Sequence, residues 1–105
     1  MKYSEFKADP KRHSSLWVSK TFFKTPGAAK PFARAIGKSR DLIHAYGDPD
    51  DQNHLHLYNL PILIDETGDV TILEEIAGMF GYKLVKVNGN VPETLRAIAA
   101  AIEGE

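Results

Sequence analysis

Glycine stands at positions 27, 37, 47, 68 and 81, and most of the intervals between them carry apolar residues at helical spacing. Glycine ends helices readily because it alone adopts a left-handed backbone at little cost. A chain punctuated in this way is restricted to short helices packed on one another. The intervals fit that restriction. Leu16 to Phe23 is apolar and aromatic, follows a candidate cap at Ser14 or Ser15, and must stop near Lys24 because Pro26 disfavours helix at Thr25. Composition alone leaves this stretch open to helix or strand; its helical neighbours favour helix. A helix over about Ala28 to Ile36 takes Pro31 in its first turn, with Phe32, Ala35 and Ile36 as an apolar stripe. Ser39 caps a further helix to about Tyr46, with Leu42, Ile43 and Tyr46 inward.

The second half repeats the logic. A helix is expected over about Leu57 to Glu66, with Leu57, Leu60, Leu63 and Ile64 apolar. Another, capped by Asp69, sets Leu73, Ile76, Ala77 and Phe80 on one face. Gly78 inside it costs about 1 kcal/mol against alanine, which close helix packing would explain. Tyr82 to Val87 is a short β-prone run closed by the turn residues Asn88-Gly89-Asn90. Pro92 opens a C-terminal amphipathic helix with Leu95, Ile98, Ala99 and Ile102 on one face. The expected fold class is mainly α: a compact, repressor-like helical domain with a β-prone segment and a C-terminal amphipathic helix. Residues 1–13 are expected as a mobile basic arm, residues 14–81 as the helical domain, and residues 82–105 as a strand plus helix that could serve oligomerisation.

Composition narrows the function. The net charge of −1 conceals a segregation: up to Tyr46 there are 10 basic and 3 acidic residues, and from Gly47 onward 3 basic and 11 acidic. A basic part joined to an acidic part points to a polyanion-binding element. With no cysteine, a disulfide scaffold, a thiolate zinc site and a cysteine nucleophile are excluded. The first 15 residues lack the apolar stretch of a secretory signal, and no apolar run approaches the ~18 residues of a membrane span. A cytoplasmic location in a bacterial host is expected, with no membrane partner.

The residues from Ala29 to Tyr46 carry the strongest functional pattern. Two short helices joined by a tight glycine turn form a helix-turn-helix. Ala33 supplies the small residue where the helices cross, and Gly37, four positions on, the left-handed residue of the turn. Phe32, Ile36, Ile43 and Tyr46 face inward, while Ser39, Arg40, Asp41, His44 and Ala45 project outward. In a major groove, Arg40 would read guanine bidentately, and Ser39 and His44 would meet bases or phosphates. Lys30, Arg34 and Lys38 suit phosphate contacts, and Lys2, Lys7, Lys11 and Arg12 of the arm could add to them. Asp41 suits orienting Arg40 or accepting from a cytosine amine. Two ordinary bundle helices would share the Ala–Gly spacing; the coincident basic charge favours duplex DNA as the partner.

The order of several stretches adds to this reading. Gly37-Lys-Ser-Arg-Asp-Leu-Ile is followed by Asp48-Pro-Asp-Asp, then by His56 to Asp69, ending in Thr-Gly-Asp, and by Ile72-Leu-Glu-Glu-Ile-Ala-Gly-Met-Phe-Gly81. Over about residues 29 to 87 the chain resembles the temperate-phage CII-type family, helix-turn-helix regulators of the lysis–lysogeny decision and related prophage proteins. The resemblance implies a transcriptional regulator that binds duplex DNA, with Ser39, Arg40 and His44 in the recognition-helix role. The aromatic segment before Pro26 fits the family loosely, Pro31 is unusual in the first helix of the motif, and Tyr46-Gly-Asp-Pro stands where a polar, asparagine-containing turn is expected.

Other constellations are weaker. His54 and His56 could share a metal but lack an evident third ligand. The groups Asp48/Asp50/Asp51 and Glu74/Glu75 lack a nucleophile or phosphate loop, so a solvated face accounts for them better than catalysis. Trp17, Phe22 and Phe23 suit a core more than a stacking platform. No enzyme, metal or cofactor is expected. The face of Leu95, Ile98 and Ile102 could pack on the chain's own helices or serve oligomerisation. A homo-oligomer is favoured because paired half-sites are read by paired motifs, with RNA polymerase as a further possible partner. The rival reading is a protein-interaction or DNA-mimic adaptor acting through the acidic second half.

Overall fold

The computed structural model describes residues 1–87. Within them six α-helices run in order: α1 (Tyr3–Ala8), α2 (Pro10–Lys24), α3 (Ala29–Ile36), α4 (Arg40–Tyr46), α5 (Leu60–Thr67) and α6 (Thr71–Met79), with a 3-10 turn at Leu57–Asn59. The mainly α fold expected from the sequence is the fold observed. Among the described residues there is no strand, and Tyr82 to Val87 take no regular secondary structure. The expected C-terminal helix lies outside the described residues.

The longest helix, α2, is the spine. It touches α1, α4 and α6, while α3 packs against α4 and α5. The core gathers Trp17 and Val18 of α2, Phe32 and Ala33 of α3, Ile43 and Tyr46 of α4, Leu63 of α5 and Ile72 of α6. Trp17 is therefore a core residue, and Phe22 lies against Phe32 with ring centroids 5.9 Å apart. Phe23 points away and is 86% exposed.

Three departures from expectation have local causes. The first thirteen residues, expected as a mobile arm, hold α1 and the start of α2. Asp9 accepts the Arg12 backbone N–H at 3.2 Å and Pro10 fills the first helical position, a pairing that starts a helix without needing an apolar stripe. Phe6 of α1 then stacks on Trp17 at 5.1 Å with the rings 9° from parallel. The helix expected from Leu57 begins instead at Leu60, so Leu57 lies in the 3-10 turn and is 82% exposed. Pro61 near the helix start sets that boundary, since its ring is tolerated only in the first turn.

The third departure is the rotation of α6. The residues it buries are Thr71 and Ile72, whereas Ile76 and Phe80, expected inward, are exposed. Asp69 does not cap the helix with its own backbone at the N-cap position; Val70 holds that place. Instead its carboxylate accepts hydrogen bonds from the Thr21 and Thr71 hydroxyls, each at 2.9 Å, which ties the α6 start to α2 and fixes which face turns inward. Among the described residues Gly78 packs closely against nothing: a Cβ there would meet none of their atoms within 4 Å. Close packing does not explain it, and nothing else in the structure does.

Candidate nucleic-acid interface

α3 and α4 are two short helices joined by a tight glycine turn, and each feature of the pair traces to a residue. Gly37 ends α3 with φ 68° and ψ 34°. Its own N–H donates to the Arg34 carbonyl at 3.3 Å, and the Lys38 N–H to the Ala33 carbonyl at 2.9 Å. The second bond spans six residues and, with a left-handed glycine, closes the helix and reverses the chain. Ser39 then opens α4 by accepting the Leu42 N–H at 3.2 Å. Only Gly37, Lys38 and Ser39 separate the helices.

Burial sorts the two faces. Phe32 and Ile43 are 0% exposed, and Ala33 and Tyr46 are also buried. Ile36 and Leu42 are half-buried at the edge of the core. Burial pushes the Tyr46 hydroxyl pKa up, with a smaller contribution from Tyr58. A tyrosine there stays neutral at ordinary pH and acts as a packing residue. On the opposite side Lys30, Arg34, Lys38, Ser39, Arg40, Asp41 and His44 are all exposed. The ion pair among the described residues joins Lys24 to Asp69, so none of these cations has an ionic partner there. Asp41 accordingly is not bridged to Arg40 among the described residues. Exposed cations on an otherwise uncommitted face can meet phosphates without first breaking an internal bond.

The far end of α4 is set by contact with α2. A Cβ at Gly47 would lie 3.3 Å from the Cα of Ser19, so glycine permits the close approach of the two backbones. This gives a packing reason for the glycine in the Tyr46-Gly-Asp-Pro turn. The turn is further joined to the N-terminal region by Lys11, whose Nζ donates to the Ser15 hydroxyl at 2.6 Å and the Asp48 carbonyl at 3.3 Å. Lys11 is thus engaged within the protein. The acidic loop that follows is internally satisfied: Asp51 accepts from the backbone and side-chain nitrogens of Asn53, and these bonds lower its pKa, with help from Lys11.

His54 and His56 have ring centroids 5.4 Å apart, and His56 stacks on the exposed Tyr58. No group of three or more histidine, cysteine, aspartate or glutamate side chains suited to a metal occurs among the described residues. Leu95, Ile98 and Ile102, expected from the sequence to serve oligomerisation, lie outside the described residues. Sequence reasoning missed the Thr21–Asp69–Thr71 tie; hydroxyls and a carboxylate far apart in sequence leave no periodic trace.

No curated protein and no solved structure matches the chain. The family model described as phage regulatory protein CII (CP76) matches residues 13–103, a span containing α3, the glycine turn and α4, as well as the aromatic segment of α2. The chain belongs to the phage regulatory protein CII family.

Proposed function

We propose that the protein is a sequence-specific duplex-DNA-binding transcriptional regulator, phage- or prophage-encoded, serving the control of lysogeny. One observation supports the reading: the α3–α4 pair buries Phe32, Ala33, Ile43 and Tyr46 and leaves Lys30, Arg34, Lys38, Ser39, Arg40 and His44 exposed. In this reading α4 enters the major groove. Arg40 bonds guanine through both guanidinium arms, and Ser39 and His44 meet neighbouring bases or phosphates. Lys30, Arg34 and Lys38 hold the backbone and set the salt dependence. Homo-oligomers would present two such helices to paired half-sites. RNA polymerase is the partner through which a bound regulator would act. Membership of a regulatory family supports this over an enzymatic role. Among the described residues no helix is long and apolar enough to cross a membrane.

Selection of bound sequences from a random duplex pool, followed by salt titration of the selected site, tests the reading. Arg40→Ala should cost about 1–3 kcal/mol and relax preference at one position. Lys30→Ala should weaken all sequences alike and reduce the salt slope by about 1. Absence of duplex binding at low salt would refute the proposal.

A further inference from the structure

A cavity of about 600 Å³ opens between α1, α2, the loop before the 3-10 turn, and α6. Tyr3, Phe6, Trp17, Leu57, Ile76 and Phe80 line it, and its polar surface is minor. Ile76 and Phe80 lie on the apolar stripe of α6, and Phe80 is 57% exposed, although Tyr3 reaches it at 5.4 Å. An apolar concavity of this size left in water forfeits burial worth about 25 cal/mol per Å². Something apolar is expected to cover it.

We propose that the occupant is the chain's own C-terminal stretch, with Leu95, Ile98 and Ile102 set into the cavity. Four observations point to this segment. It carries apolar residues at i, i+3, i+4 and i+7, counting Ala99, which makes one continuous face. It follows α6 closely, since Phe80 lines the cavity and only Gly81 to Thr94 intervene before Leu95. That tether holds Asn88-Gly89-Asn90 and Pro92, residues that turn a chain back on itself. A short tether raises the effective concentration of the segment to the millimolar range, which a second copy must exceed to compete. Finally, the cationic side chain at the cavity is Lys11, with no acid among its described lining residues, and the segment is flanked by Glu93 and Glu103.

Docking of this segment is independent of DNA binding, so its test does not depend on the proposed function. The chain has no cysteine, and Ala100→Cys therefore gives the full-length protein a single site for a nitroxide label, off the apolar face. With label and isotope in the same chain, the amide signals of Phe6, Trp17 and Ile76 should lose most of their intensity, and Ile76→Asp should restore them while Phe32 and Ile43 keep their positions. With nitroxide-labelled, unenriched chains mixed into isotope-labelled chains that lack the cysteine, the same signals should be unaffected. Unchanged intensities in the singly labelled protein would overturn the proposal. Loss in the mixed sample would also overturn it, by naming a second copy as the occupant. Retention of the loss in Ile76→Asp would place the segment elsewhere.

Discussion

Asp69 offers a perturbation whose effect has both a size and a pH signature. Its carboxylate accepts hydrogen bonds from Thr21 and Thr71, both at 2.9 Å, and lies 3.9 Å from the Lys24 ammonium. Thr21 is 1% exposed and Thr71 4% exposed, so Asp69→Ala leaves two buried hydroxyls without their acceptor. An unsatisfied buried donor costs about 1–3 kcal/mol. Thr21 can turn its hydroxyl to a carbonyl of its own helix, which lowers the cost. Thr71 keeps the bond it accepts from Lys24 at 2.8 Å, but its own O–H loses its acceptor. Lys24 is half exposed, and its ion pair contributes little. A loss of about 2–3 kcal/mol is expected at neutral pH, from two hydroxyls near the lower end of that range. Burial pushes the Asp69 pKa up, but the Thr71 and Thr21 hydroxyls and Lys24 outweigh it and hold the carboxyl below its ordinary value. A carboxyl depressed in the folded state contributes stability that is fully present above the unfolded pKa, about 3.9, and is lost as pH falls through the folded value. The gap between parent and Asp69→Ala should therefore be constant above about pH 5 and narrow below pH 4. Asp51 is likewise depressed, but it is common to both proteins and cancels from the difference. Urea unfolding followed by helical circular dichroism, repeated from pH 7 to pH 3, measures the gap. A difference under about 0.5 kcal/mol at pH 7, the size of an ordinary surface change, would refute the reasoning. So would a gap that does not narrow in acid.

Three glycine positions separate backbone strain from close packing in the same assay. Gly37 has φ 68° and space around it, so Gly37→Ala should cost roughly 1–2 kcal/mol from conformation alone, and Gly37→Asn less. Gly47 is free of positive φ but would set a Cβ 3.3 Å from the Ser19 backbone, so Gly47→Ala should destabilise instead of giving the usual gain of about 0.4–1 kcal/mol. At Gly78, inside α6 and facing open space, alanine should stabilise by about 1 kcal/mol. Phe6→Ala should release α1 from Trp17 and red-shift the emission of this lone tryptophan, leaving most of the helical signal intact.

The two halves of the chain differ in how much of their structure was written locally. From Ala29 to Gly47 the helix bounds, the left-handed turn at Gly37, the Ser39 cap and the buried positions Phe32, Ile43 and Tyr46 all follow from residues within a few positions of one another. Helix starts and stops of that kind are legible because their causes are adjacent in sequence. The rotation of α6 was not legible, because amphipathicity names an apolar face without naming what covers it. Ile72 turns inward since Thr21, 48 positions before Asp69, grips the residue that leads into the helix. The start of α2 was legible in principle from Asp9-Pro10, but α1, six residues long with Phe6 as its one half-buried residue, is too short to give a periodic signal.

These long-range ties bear on the proposed recognition helix itself. At seven residues α4 is too short to hold its shape in water, where isolated helices below about 12–15 residues are marginal. Its order is imposed by Ile43 and Tyr46 in the core and by Gly47 against Ser19 of α2. The orientation of α2 is in turn shared with α6 through Thr21 and Asp69. Loosening the Asp69 tie should therefore reach Arg40 and His44, which touch none of its partners, by freeing the spine on which α4 rests. A Gly47→Ala change should reach them directly. If DNA reading rests on this geometry, Gly47→Ala should lower affinity for the selected site more than for random duplex. A uniform loss on both would mean that α4 contributes no base reading, since preference between sequences rests on base contacts and not on phosphate contacts.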